Sequence, residues 1–184
     1  MIALFDANFL ILLFDAKAPA PSRPGRFKIL DAQRRIQNLV DDLAKKRVKI
    51  IIPTPALSEF MLLTPDAYTS YLTEIRKRSV FEICSFDDAA CVELVEYSMQ
   101  LGNPKRKPDR VETWAKLKYD RLILAVAKVN RVTELYTNDD GVRDLALQLG
   151  IKPIDLEHLP VPPPEQVPLI LEGPARIIQL DKLK

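Results

Sequence analysis

Residues 122–127 read Leu-Ile-Leu-Ala-Val-Ala, a run with no polar face. A helix that is apolar on every side belongs inside a protein. Just ahead of it stands a carboxylate, Asp120, and an acid in such a place is costly without protons, partners or a cation. Residues 133–136 (Thr-Glu-Leu-Tyr) follow as a short strand, and residues 137–140 (Thr-Asn-Asp-Asp) as the loop after it. The 19-residue step from Asp120 to Asp139 is what a helix, a turn and a strand require. An acid heading a buried helix and acids ending the next strand then meet at one rim of a sheet. The rest of the chain can be read for further carboxylates sent to the same rim.

Residues 2–5 predict a fully buried strand, because they show no polar alternation. Asp6-Ala7-Asn8 breaks it, and residues 9–14 predict one or two apolar helical turns. Asp6 therefore ends the first strand, where ligands bind in open α/β sheets. It equally fits an N-cap for the next helix. Residues 15–26 are rich in proline and small residues and predict a loop. From Phe27 to about Arg47, apolar residues including Leu30, Ile36 and Val40 recur at helical spacing, with a charged outer face. Residues 48–52 predict a second buried strand. Thr54-Pro55 then gives a helix start, with threonine as N-cap and proline in the first turn. Glu59 lies one turn inside that helix, either as another acid at the rim or as an exposed acid on an amphipathic face.

Thr64-Pro65 repeats the start signal for a helix to about Arg78, and residues 80–84 predict a third strand. The helix over 85–101 carries Asp87 and Asp88 in its first turn, where acids suit the helix dipole. Residues 102–110 are dense in positive charge (Lys105, Arg106, Lys107 and Arg110), and Lys116 and Lys118 continue that charge onto the central helix. The patch either steers a polyanion toward Asp120 or is a solvated loop. A short helix over 141–149 ends at Gly150, and residues 151–154 predict a last strand. Strands alternating with helices imply a three-layer α/β/α sandwich with a mostly parallel central sheet. The layout predicts one domain over 1–156 and a proline-rich C-terminal extension over 157–184.

Composition narrows the chemistry. The chain has 184 residues and a net charge of +2, so nucleic-acid contact needs a local basic patch. Cys84 and Cys91 predict reduced core residues. The single histidine, His158, disfavours Ser-His-Asp, Cys-His and histidine-rich zinc sites, which leaves carboxylates. No Gly-x-x-x-x-Gly-Lys stretch is present for a P-loop. Asn8 stands where many aspartyl phosphotransferases carry a second aspartate. The N-terminal stretch lacks a basic region and carries Asp6 in its middle, so a cytoplasmic protein with no membrane segment is expected.

The segments LFDANFLI (4–11), PTPALSEFM (53–61), YDRLILAVA (119–127) and YTNDDGVRDLA (136–146) carry a resemblance. Over residues 1–156 the chain resembles the PIN-domain family of metal-dependent nucleases. It looks most like the VapC-type toxin ribonucleases of toxin–antitoxin pairs. The resemblance implies a catalytic quartet of Asp6, Glu59, Asp120 and Asp139, with Asp140 as a fifth possible metal ligand. Asn8 and Thr137 match the polar residues that accompany the first and last acids. It also implies Mg²⁺ or Mn²⁺ as cofactor, RNA as substrate, an antitoxin protein as partner and a homodimer. The alternative on the same fold is a non-catalytic RNA-binding or assembly scaffold. The loops over 15–26 and 102–110 and the tail from 157 depart from the compact toxins.

Overall fold

The computed structural model describes residues 1–19, 29–101 and 114–162. Five strands form one sheet: β1 (Ala3–Phe5), β2 (Ile50–Pro53), β3 (Phe81–Cys84), β4 (Glu134–Tyr136) and β5 (Lys152–Ile154). Their order is β3-β2-β1-β4-β5 and every pairing is parallel. The helices are α1 (Ala7–Phe14), α2 (Ala32–Lys45), α3 (Thr54–Leu63), α4 (Tyr68–Lys77), α5 (Asp88–Leu101), α6 (Trp114–Val129) and α7 (Asp140–Gln148). The expected α/β architecture is present.

The central strand explains its own sequence. Ala3, Leu4 and Phe5 are all fully buried, since helices cover both faces of a parallel sheet. Right-handed crossovers carry the chain from β1 through β2 to β3 in one direction, and from β4 to β5 in the other. That direction change puts α1 to α4 on one face, and α1 packs on α2 and α3. It puts α5 to α7 on the other, where α6 packs on both α5 and α7. The same change opens a crevice beyond the carboxyl ends of β1 and β4, the topological switch point of the sheet.

Phe5 and Tyr136 are register partners on those two strands, with ring centroids 5.4 Å apart in an edge-on pair. Phe9 joins them at 5.5 and 5.8 Å. Burying such rings contributes roughly 1.5–3 kcal/mol each. The trio therefore clamps the two strand ends from which Asp6 and Thr137 emerge.

Several local expectations are corrected. α6 begins at Trp114, so Asp120 sits in its second turn and not at its head. Thr54 does not cap α3: Pro53 holds that position, and the Thr54 hydroxyl accepts the Phe86 N–H at 3.0 Å. The reason is nonlocal, because β2 runs on through Pro53 to pair with Cys84. Thr64 starts no helix; its hydroxyl donates to the Phe60 carbonyl at 2.9 Å, it closes α3, and α4 begins at Tyr68. α2 begins at Ala32, later than expected, and leaves Leu30 exposed outside its apolar stripe. Cys84 and Cys91 are both free thiols, but Cys91 lies exposed on the outer side of α5, while Ala90 and Tyr97 take the inner side. Leu159 is buried, and its carbonyl accepts from Arg35 at 2.6 Å.

Candidate metal and nucleotide cleft

Four elements deliver four carboxylates to one cleft of about 350 Å³, lined by Asp6, Asn8, Glu59, Leu62, Tyr119, Asp120, Asp139 and Val142. Asp6 follows β1 and caps α1, with its Oδ1 accepting the Ala7 N–H at 2.7 Å. Its Oδ2 accepts the Thr137 hydroxyl at 2.8 Å and the Asn8 amide at 3.5 Å. The cap reading of Asp6 is thus correct for one oxygen, while the residue still lines the cleft. Burial pushes the Asp6 carboxyl above its ordinary range, and the nearby Asp139 charge adds to that. The bonds from Thr137, Ala7 and Asn8 pull the other way without cancelling it.

Thr137 links two of the acids. Its fully buried hydroxyl donates to Asp6 and accepts the Asp139 N–H at 3.0 Å. Asp139 in turn caps α7, its Oδ1 accepting the N–H groups of Gly141 at 2.8 Å and Val142 at 3.2 Å. Asp120 is buried on α6 and Glu59 half-buried on α3. Asp140 does not line the cleft: its side chain is 74% exposed and pairs with Arg143 at 3.4 Å. Which of two adjacent aspartates faces inward is decided by which one caps α7. Lys105, Arg106, Lys107 and Arg110 lie outside the described residues, and so do the side chains of Lys116 and Lys118.

The donor chemistry suits a hard cation. Four carboxylates and an amide surround the cleft, and among the described residues none that lines it is basic. Oxygen donors of this kind are what Mg²⁺ and Mn²⁺ prefer, with water completing the shell. Among the described residues, however, no three acid, histidine or cysteine side chains converge closely enough to hold an ion between them as they stand. Like charges repel in such a cleft, and Asp6 and Asp139 each commit one oxygen to a helix cap. Direct coordination would draw the side chains inward, or water would bridge the gaps.

Sequence reasoning missed the apolar wall of the cleft. Leu62 lies one helical turn after Glu59, Val142 one turn after Asp139, and Tyr119 directly precedes Asp120. Helical spacing from each acid could have found the first two. Tyr119 is 43% exposed and Leu62 75% exposed, so the wall is open to a ligand.

No family model matches the chain, and no curated protein matches it significantly by sequence. Solved structures do. A chain of the VapBC2 complex from Rickettsia felis bound to a promoter DNA fragment superposes with a TM-score of 0.56 at 17% identity, covering 84% of this chain and 98% of that one. A chain of the DNA-bound VapBC complex from Salmonella typhimurium gives 0.51 at 19% identity, covering 85% and 98%. The overlap includes nearly the whole of each neighbour, and the shared property at this identity is the backbone architecture. The chain has the fold of these VapBC chains, the PIN-like α/β sandwich with a parallel central sheet.

Proposed function

We propose that this protein is a divalent-metal-dependent ribonuclease that hydrolyses RNA phosphodiester bonds, as a toxin of the VapC kind. The observation that carries the reading is the gathering of Asp6, Glu59, Asp120 and Asp139 from four separate elements onto one cleft at the switch point, with no basic residue among its described lining. A scaffold has no need to collect like charges there, since each costs desolvation and repulsion.

Asp6, Asp120 and Asp139 would hold Mg²⁺ or Mn²⁺, and Glu59 would bind through water. The bound ion supplies activation of water and neutralisation of charge on the phosphodiester. The chain itself supplies orientation. Thr137 and Asn8 fix one oxygen of Asp6, and the first N–H groups of α7 fix one oxygen of Asp139. Such supports hold a carboxylate in one rotamer and tune its basicity. Leu62 and Tyr119 give the cleft an apolar side on which a base can rest while its phosphate faces the acids. The same reading gives the protein a homodimeric state and an antitoxin partner, and neighbours that are VapBC complexes support the partner.

The test is cleavage of a mixed pool of structured RNAs in Mg²⁺ or Mn²⁺, comparing wild type, Asp6→Asn, Asp120→Asn and an EDTA control. Metal-dependent cutting abolished by both substitutions is expected. RNA binding without cutting, unchanged by either substitution, would establish the non-catalytic scaffold instead.

A further inference from the structure

Three helix-to-strand connections close with the same hydrogen-bonded turn. The outer bonds run from Val48 to Leu43, from Val132 to Ala127 and from Ile151 to Ala146, each at 2.9 Å. The inner bonds run from Arg47 to Ala44, from Arg131 to Lys128 and from Gly150 to Leu147, at 3.0, 3.0 and 3.1 Å. This pattern ends a helix on one left-handed residue, a place that favours glycine. Gly150 takes it in one turn, with φ +73°. Arginine takes it in the other two, with φ 55° at Arg47 and 52° at Arg131. A side chain with a Cβ is disfavoured in that region, so folding gains nothing from arginine there. Asp31, also left-handed, is of a type that tolerates it better.

Both arginines occupy matching places. Ile50 and Glu134 share register with Ala3, and Arg47 and Arg131 each stand three residues before those partners. They therefore flank β1 at the amino-terminal rim of the sheet, on strands roughly 10 Å apart. The rim is basic well beyond them: residues 45–49 read KKRVK and residues 76–78 read RKR. Lys46, Arg47, Arg76 and Arg131 are exposed, and among the described residues no carboxylate lies within 4.0 Å of any of them. This rim is the end of the sheet opposite the acidic cleft.

We propose that the amino-terminal rim, centred on Arg47 and Arg131, is a second nucleic-acid contact that holds the phosphate backbone of an RNA. Strained arginines side by side on an open rim fit an extended row of phosphates, because guanidinium groups grip phosphate bidentately and without a pocket. The choice of RNA as the polyanion rests on the ribonuclease reading. An RNA that touches both ends of the sheet must be long or folded, so the rim selects against short oligonucleotides.

The experiment measures binding of a labelled, structured RNA across a range of salt concentrations in EDTA, so that cleavage does not intervene. The variants are the double glycine (Arg47→Gly with Arg131→Gly) and the double lysine (Arg47→Lys with Arg131→Lys). The glycine pair is expected to melt higher, by ~2–8 °C per site. It should also bind RNA more weakly, with a salt slope shallower by about 2. The lysine pair should keep the slope and gain no thermal stability. Unchanged RNA affinity and slope in the glycine pair overturns the proposal. So does a wild type that binds polyglutamate as tightly as RNA, which would assign the rim to an acidic protein. Unchanged melting in the glycine pair removes the strain argument. Binding loss and nuclease loss are read separately here, so failure of the acidic cleft to cut RNA leaves this result interpretable.

Discussion

Thr137→Val removes one oxygen and almost no volume, and the structure sets what that costs. The hydroxyl is fully buried, donates to Asp6 at 2.8 Å and accepts from the Asp139 N–H at 3.0 Å. A bond to a charged partner is worth about 1.5–3 kcal/mol and a neutral one about 0.5–1.5 kcal/mol. The two together give a loss of about 2–4.5 kcal/mol with no cavity created. For a chain of this size that lowers the melting temperature by about 4–18 °C. Thr137→Ser keeps the hydroxyl and loses a methyl, which costs about 0.5–1.5 kcal/mol. The assay is urea and thermal unfolding in EDTA at neutral pH, so that metal binding does not enter. The Thr137 bond pulls the Asp6 carboxyl down against its burial, so the valine variant raises that carboxyl further. The penalty is therefore full where Asp6 is ionised and shrinks as the pH falls through its folded value. A valine variant within about 0.5 kcal/mol of wild type refutes the argument, given the bond energies above. A serine variant as damaged as the valine one would show that packing, not the hydroxyl, matters.

Added Mg²⁺ or Mn²⁺ should stabilise the wild type by about 2.7 kcal/mol at a hundredfold excess over Kd, a rise of about 5–11 °C in melting temperature. Asp6→Asn should lose most of that rise, and identical melting curves with and without metal would count against an ion site. Asp155 is buried, caps the turn Leu156–His158, and meets Arg143 at 3.2 Å and His158. Burial is the largest influence on it and pushes its carboxyl up, but the His158 bond and charge with the Arg143 charge outweigh that and hold it below its ordinary 3.8. A depressed folded value means stability that is complete above the unfolded value and lost as the pH falls through the folded one. Wild type should therefore lose stability relative to Asp155→Asn only below about pH 4, in paired urea titrations. In the cleft, Tyr119→Ala should raise KM for RNA by about tenfold or more, the worth of one stacked base, and leave kcat nearly unchanged. A kcat effect with unchanged KM would place the ring's role elsewhere.

The sheet and the acids are legible in the sequence for a physical reason, and so are the places where reading fails. Strands buried on both faces leave unbroken apolar runs such as residues 3–5, and an acid that ends such a run is conspicuous. What fails is whatever a distant strand decides. Thr54-Pro55 and Thr64-Pro65 look alike, yet the first follows a strand end held by Cys84 and the second closes a helix. Asp139 and Asp140 are adjacent and chemically identical, and only the cap on α7 separates them. The turns at Arg47 and Arg131 are hidden for a related reason, since the usual glycine punctuation is missing and only the backbone shows the left-handed residue. Gly150 supplies the control for that idea. A Cβ there would meet nothing within 4 Å, so Gly150→Arg tests conformational strain without steric clash. It should cost about 1–2 kcal/mol and lower the melting temperature by about 2–8 °C. If Gly150→Arg unfolds at the wild-type midpoint, the left-handed place carries no penalty in this turn. Arginine at positions 47 and 131 would then be energetically free, and their presence would no longer demand a function.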